Sequence, residues 1–174
     1  GETLQANAGL RVQGGDYIRG RYNPNSGPPA GKYSFRLYFR GDYGPGRLRH
    51  DIFPELQVQD FNHIVLRAGM NDHSNPFIID ELVRRLSADM GQISAQGTFM
   101  NLYLNGSNKG YYNPTQRIDS DFLNSWNGSD SEWDIIAQFG ELREGDMVKW
   151  NQVKSALQRN LTIPQNYSAV ERLL

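Results

Sequence analysis

FMNLYLNGSNKGYYNPTQRIDSDFL, residues Phe99 to Leu123, decides the fold. Phe99 to Leu104 is rich in aromatic and aliphatic residues and reads as a strand. Asn105-Gly106-Ser107-Asn108 follows as a turn, and Gly110-Tyr111-Tyr112 begins a return strand, so the segment is a β-hairpin. Ile118, Phe122 and Trp126 then recur at helical spacing, which predicts a short helix capped near Asp119 or Ser120.

Upstream, Ile64-Val65-Leu66 is a short apolar run expected to be a central strand. A helix follows it, with Asn75 as N-cap and Pro76 at its first position. Ile78, Leu82, Leu86 and Met90 lie at helical spacing with Val83 beside them, and Gly91 fits the C′ position. Tyr33, Phe35, Leu37 and Phe39 alternate with Ser34, Arg36, Tyr38 and Arg40, the mark of a half-buried strand that ends at the turn Gly41 to Gly46. Leu10 to Gly14 reads as another short strand, and the Gly/Pro/Asn-rich stretch from Gly14 to Gly31 as a loop.

Downstream, Trp133 to Ile136 is strand-like, and a last helix starts after Asp146 with Met147, Trp150, Val153 and Leu157 on one face. The tail from Thr162 carries Pro164 and a short apolar end, Val170 to Leu174. Alternating βαβ units are missing, so the order of elements predicts an α+β fold with a mainly antiparallel sheet and helices packed on it. The 174 residues suit a single domain or lobe spanning 1–174.

Composition narrows the chemistry. No cysteine is present, which removes disulfides, thiol nucleophiles and thiolate metal sites. The net charge of −1 is spread in mixed sign, without the basic stripe of a nucleic-acid binder. Mean hydropathy is −0.64, and no apolar run is long enough to span a bilayer. His50, His63 and His73 are too widely spaced for a zinc site. Asp72-His73-Ser74 has the residue types of a nucleophilic triad but not its geometry, and reads better as a loop before the helix. Asp119, Asp121, Asp130 and Asp134 match no calcium loop, and the first two suit a helix start. Gly14-Gly15 after a strand is a weak phosphate-cradle signal, and the Gly31-Lys32 pair is followed by Tyr33 rather than a Walker hydroxyl residue. The aromatics around Tyr22, Tyr111-Tyr112 and Trp126 offer sugar-stacking surfaces.

Five segments read together resemble the CotH kinase family, the spore-coat protein H-like atypical protein kinases. They are LRVQGG (Leu10 to Gly15), GKYSFRLYFRGDYGPGRLRHDIF (Gly31 to Phe53), FNHIVLRAGMNDHSNPFIIDELVRRLSADMG (Phe61 to Gly91), the hairpin block from Phe99 to Leu123, and WDIIAQFGELREGDMVKWNQV (Trp133 to Val153). Their order is the family's order. The resemblance implies the small lobe of an atypical protein kinase and, for the parent protein, ATP, magnesium and phosphoryl transfer to Ser or Thr of a protein substrate. It points to three residues facing nucleotide: Lys32 at the start of the second strand, Arg67 at the end of the third, and Glu81 on the next helix as the cation's partner.

The chain departs from the family at Gln116, where glutamate is frequent, at Ala137, where some members carry lysine, and in the loop Asp16 to Ala30. Nothing after Leu157 resembles the family's metal-binding and catalytic acids. The expectation is therefore a nucleotide-side portion of a CotH-like kinase that lacks its C-terminal lobe, is inactive alone, and has neither catalytic nor metal ligands of its own. ATP and magnesium are expected on the parent rather than on this chain alone. The parent is expected to be a secreted or surface-associated bacterial protein, with the cytoplasm left open and with Gly1 compatible with a removed leader. The alternative is a non-catalytic structural or binding module, with a carbohydrate-associated role as one form of it.

Overall fold

The structure is a computed structural model that describes residues 3–14, 32–53, 55–56, 58–69 and 77–174. Most of the expected loop Gly14 to Gly31, the triad-like Asp72-His73-Ser74 and the helix start at Asn75-Pro76 lie outside the described residues. The chain divides into two compact units, Gly1–Trp126 and Asn127–Leu174.

The first unit is an antiparallel sheet with helices, an α+β architecture. Its strands are β1 (Gly9–Val12), β2 (Phe35–Tyr38), β5 (His63–Arg67), β6 (Met100–Leu104) and β7 (Ser107–Gln116), and their spatial order is β1-β2-β5-β7-β6. A small ribbon of β3 (Leu48–Arg49) and β4 (Asp60–Phe61) stands apart from that sheet. Helix α1 (Ile79–Asp89) joins β5 to β6, and α2 (Ser120–Asn127) follows β7.

Ile64, Val65 and Leu66 make β5 the central strand, and all three are buried. A strand paired on both sides and covered on both faces tolerates such an unbroken apolar run. Ile64 and Leu66 join Phe35, Phe53, Phe61 and Tyr112 in the main core. Tyr112 is 1% exposed, stacks on Phe35, and donates its hydroxyl to the Tyr33 carbonyl at 2.8 Å. Trp126 packs against this core as a partly buried ring, whereas Tyr111 is exposed.

The hairpin is larger than the sequence suggests. Asn105 and Gly106 take positive φ at its tip, as an Asn-Gly turn requires. The return strand then continues past Tyr112 to Gln116 and pairs with β5, Arg67 facing Asn113 and Ile64 facing Gln116. Pro114 lies inside this strand although proline donates no ladder hydrogen bond. The strand accommodates it by using only its carbonyl, which accepts from the Thr98 amide at 3.0 Å. Gly97 permits the approach: it bridges to Thr115, and a Cβ there would lie 2.1 Å from the Pro114 oxygen.

Helix α1 reverses the simple amphipathic reading. Leu82, Leu86 and Met90 are 49, 52 and 78% exposed, and Ile78 and Val83 are open as well. Glu81 is buried instead, with Arg84 and Arg85 beside it on the sheet side. Helical periodicity defines a stripe but does not say whether it turns inward. Gly91 ends the helix at φ +84°, as expected for C′. Asp119 caps α2, accepting the Phe122 amide at 3.0 Å.

The second unit begins with a ribbon of β8 (Ile135–Ala137) and β9 (Glu141–Glu144). Asp134 accepts the Asp146 amide at 2.7 Å, and Asp146 accepts the Val148 amide at 2.7 Å to open α3 (Val148–Leu157). Sequence reading did not foresee β9, the β3–β4 ribbon or α4 (Pro164–Glu171). The tail was expected only as an apolar end, yet Pro164 stands in the first turn of α4.

Gly97→Ala tests the close approach at β7. Urea unfolding should show a loss of roughly 2–3 kcal/mol, the scale of overpacking at a site that cannot relax.

Candidate functional site

β2 starts, β5 ends and α1 begins at one end of the sheet. Phe35 pairs with Leu66, and Arg67 with Asn113, so the chain entering β2 from Lys32 and the end of β5 meet there. Residues directly opposite in an antiparallel pair share a face. Arg67 and Asn113 therefore point the same way, and the first turn of α1 lies over them.

Arg67 Nε forms an ion pair with Asp80, whose Oδ2 also takes Arg84 Nη1 at 2.8 Å. Glu81, 3% exposed, receives four donors. Arg84 Nη2 (2.6 Å) and Asn113 Nδ2 (3.1 Å) reach Oε2, and Arg85 Nε (2.9 Å) and the Gly97 amide (3.1 Å) reach Oε1. Arg84 also donates to Asn113 Oδ1, and Arg85 to Glu55 and to the Gly97 carbonyl. Burial alone would raise the Glu81 carboxyl pKa; the donors Arg84, Asn113, Gly97 and Arg85 outweigh it and hold the carboxyl below its ordinary value.

Lys32 sits with its Nζ 4.4 Å from the Phe77 ring centre and 5.0 Å from that of Tyr112. Burial lowers its ammonium pKa, and the ring faces offer the charge a partial substitute for water. The three residues picked from sequence thus come to one end of the sheet. The expected pairing of Arg67 with Glu81 is one residue out: Asp80 takes Arg67, and Glu81 takes Arg84 and Arg85. One turn of a helix presents both acids to the sheet, and the fold gives them different partners. Asn113 was missed because an Asn-Pro step reads as a turn rather than as a buried strand residue.

A second polar group lies where β7 ends. His63 Nδ1 is 2.8 Å from Asn62 Oδ1 and 3.2 Å from Asp119 Oδ2, and Arg117 Nη1 is 3.2 Å from the same oxygen. Burial would raise the Asp119 carboxyl; hydrogen bonds from His63 and the Phe122 amide, with the charges of Arg117 and His63, lower it. Gln116, at the position where glutamate was expected, is buried and accepts the Gln96 amide on its side-chain oxygen at 3.3 Å. Asp121 is held by Arg47, at 2.7 and 3.0 Å, and within the second unit Asp134 accepts the Asp146 amide. Among the described residues, no three His, Asp or Glu side chains converge to hold a metal ion.

An antiparallel sheet whose central strand ends in a cation, tied to acids on the helix that follows, defines the class: an α+β domain with an ionic seam between helix and sheet. The family model described as CotH kinase protein matches residues 18–172, and the chain belongs to the CotH kinase family. A search of curated proteins finds no match.

The depressed Glu81 carboxyl has a signed consequence. Its folded-state pKa lies below the unfolded one, so the ionised form contributes stability above the ordinary glutamate range, and that contribution is lost as pH falls through the folded pKa. Glu81→Gln should cost roughly 2 kcal/mol at neutral pH: Arg84 keeps Asp80 and Arg85 keeps Glu55, but both lose a charge-assisted hydrogen bond to the buried carboxylate. It should also flatten the acid limb of a stability-versus-pH curve measured by urea unfolding.

Proposed function

We propose that this chain carries the nucleotide side of a CotH-type protein kinase, with Lys32 and Arg67 as the phosphate-facing cations and the α1 acids as their positioning groups. The observation that carries the reading is the Arg67–Asp80 ion pair. Protein kinases join a cation on the strand before the first helix of the small lobe to an acid on that helix, and this pairing orients the cation toward the ATP phosphates. Here β5, α1 and the β6–β7 hairpin follow each other in the sequence order that such a lobe requires.

ATP fits what the residues offer. Phosphate oxygens call for guanidinium and ammonium donors, and two stand at one sheet end. Arg67 stays half-exposed while paired. Glu81, with both oxygens occupied, acts on nucleotide through Arg84 and the placement of α1 rather than by contact. The magnesium ligands and the groups that position the accepting hydroxyl are assigned outside the described residues. Phosphorylation of Ser or Thr on a protein substrate is then the reaction of the protein that carries this region, and a secreted or surface-associated bacterial location goes with that reading.

Isothermal titration of ATP into this chain, with and without magnesium, tests the site. ATP should bind weakly and without dependence on magnesium. Arg67→Ala and Lys32→Ala should each weaken it about tenfold, equivalent to about 1.4 kcal/mol. Equal affinity in both variants and the unaltered chain would refute the reading.

A further inference from the structure

On the sheet face that also carries Arg67, the first two strands hold a concentration of positive charge that the nucleotide reading does not use. Arg11 on β1 stands directly opposite Arg36 on β2. Like charges at such a cross-strand position repel and weaken the pair. Tyr38, two residues along β2 and on the same face, has the Arg36 guanidinium 4.7 Å from its ring centre and Arg40 at 5.1 Å. Arg36 Nε is buried and finds no hydrogen-bond partner among the described residues. Among those residues no carboxylate pairs with Arg11 or Arg36. Asp119, the buried acid in this region, is already engaged by His63, Arg117 and the Phe122 amide.

The geometry points to an oxyanion site of the phosphate class, formed by Arg11 and Arg36 on this face with Arg117 at its rim. Guanidinium groups match the oxygens of phosphate with paired N–H donors, and an anion between them turns their repulsion into attraction. Burial draws the Arg36 guanidinium below its ordinary value, the charges of Arg117 and Arg11 act in the same direction, and Tyr38, through its charge and a side-chain hydrogen bond, opposes them. The site does not depend on the assignment of Lys32 and Arg67 to nucleotide.

The test is thermal unfolding of the whole chain in chloride buffer and in inorganic phosphate at matched ionic strength. A ligand that binds only the folded state raises the midpoint. Phosphate should raise it by a few degrees in the unaltered chain. Arg11→Gln, at an exposed position, should lose that rise and unfold in chloride at the same temperature as the unaltered chain or higher, because the repulsion is relieved. Arg36→Gln should also lose the rise, while Arg67→Ala should keep it, which separates this site from the nucleotide site. Repeating the titration with ADP distinguishes the source: a larger rise with ADP than with phosphate, lost in Arg11→Gln, assigns the site to a nucleotide phosphate, and an equal or smaller one assigns it to the free ion. No rise beyond that in chloride, or an undiminished rise in Arg11→Gln, would overturn the proposal.

Discussion

An ionised carboxylate stays inside a protein only if donors replace the water it loses. Glu81 is in that position, and its four donors come from three parts of the chain: Arg84 and Arg85 on its own helix, Asn113 on β7, and the Gly97 amide in the segment leading to β6. The arrangement fixes where α1 lies on the sheet, because the helix cannot slide or rotate without stranding the charge. It also explains why the helix turns its leucines outward. The sheet-facing stripe is set by the polar seam, and Leu82, Leu86 and Met90 take what remains. Arg67 inherits its position from the same seam, since Asp80 is the residue before Glu81.

Asn113 and Gly97 make the seam possible from the strand side. Asn113 is buried and shares its side chain between Glu81, Arg84 and the Thr98 carbonyl. Gly97 brings its backbone against Pro114 with no side chain in the way. Pro114 itself leaves one ladder donor absent, and the neighbouring segment uses its carbonyl instead. These contacts couple the hairpin to α1, so the nucleotide reading and the packing of β7 rest on the same few residues.

Much of the scaffold was legible in the sequence. The Asn-Gly turn, the alternation in β2 and the apolar run Ile64 to Leu66 each follow from local chemistry that tertiary contacts reinforce. The family resemblance was legible too, because it spans blocks along most of the chain. What escaped was set by long-range pairing. The return strand was read only as far as Tyr112, and its pairing with β5 carries it on to Gln116. The stripe on α1 read as a core face until Glu81 found its donors. Asp80 and Glu81 stand side by side in the sequence, and only the register of β5 against β7 decides which one meets Arg67. The α4 helix was missed because Pro164 marks a helix start as readily as a break, and nothing in the tail outweighed the second meaning.

The central claim is that Glu81 is an ionised, donor-saturated carboxylate holding α1 to the sheet. A 13C NMR titration of its side-chain carboxyl measures this directly. The account predicts a midpoint below that of an ordinary glutamate, about 4.3, with the Gly97 amide shifting in the same pH range. A midpoint at or above the ordinary value would mean that burial outweighs the donors, and would contradict the seam as described.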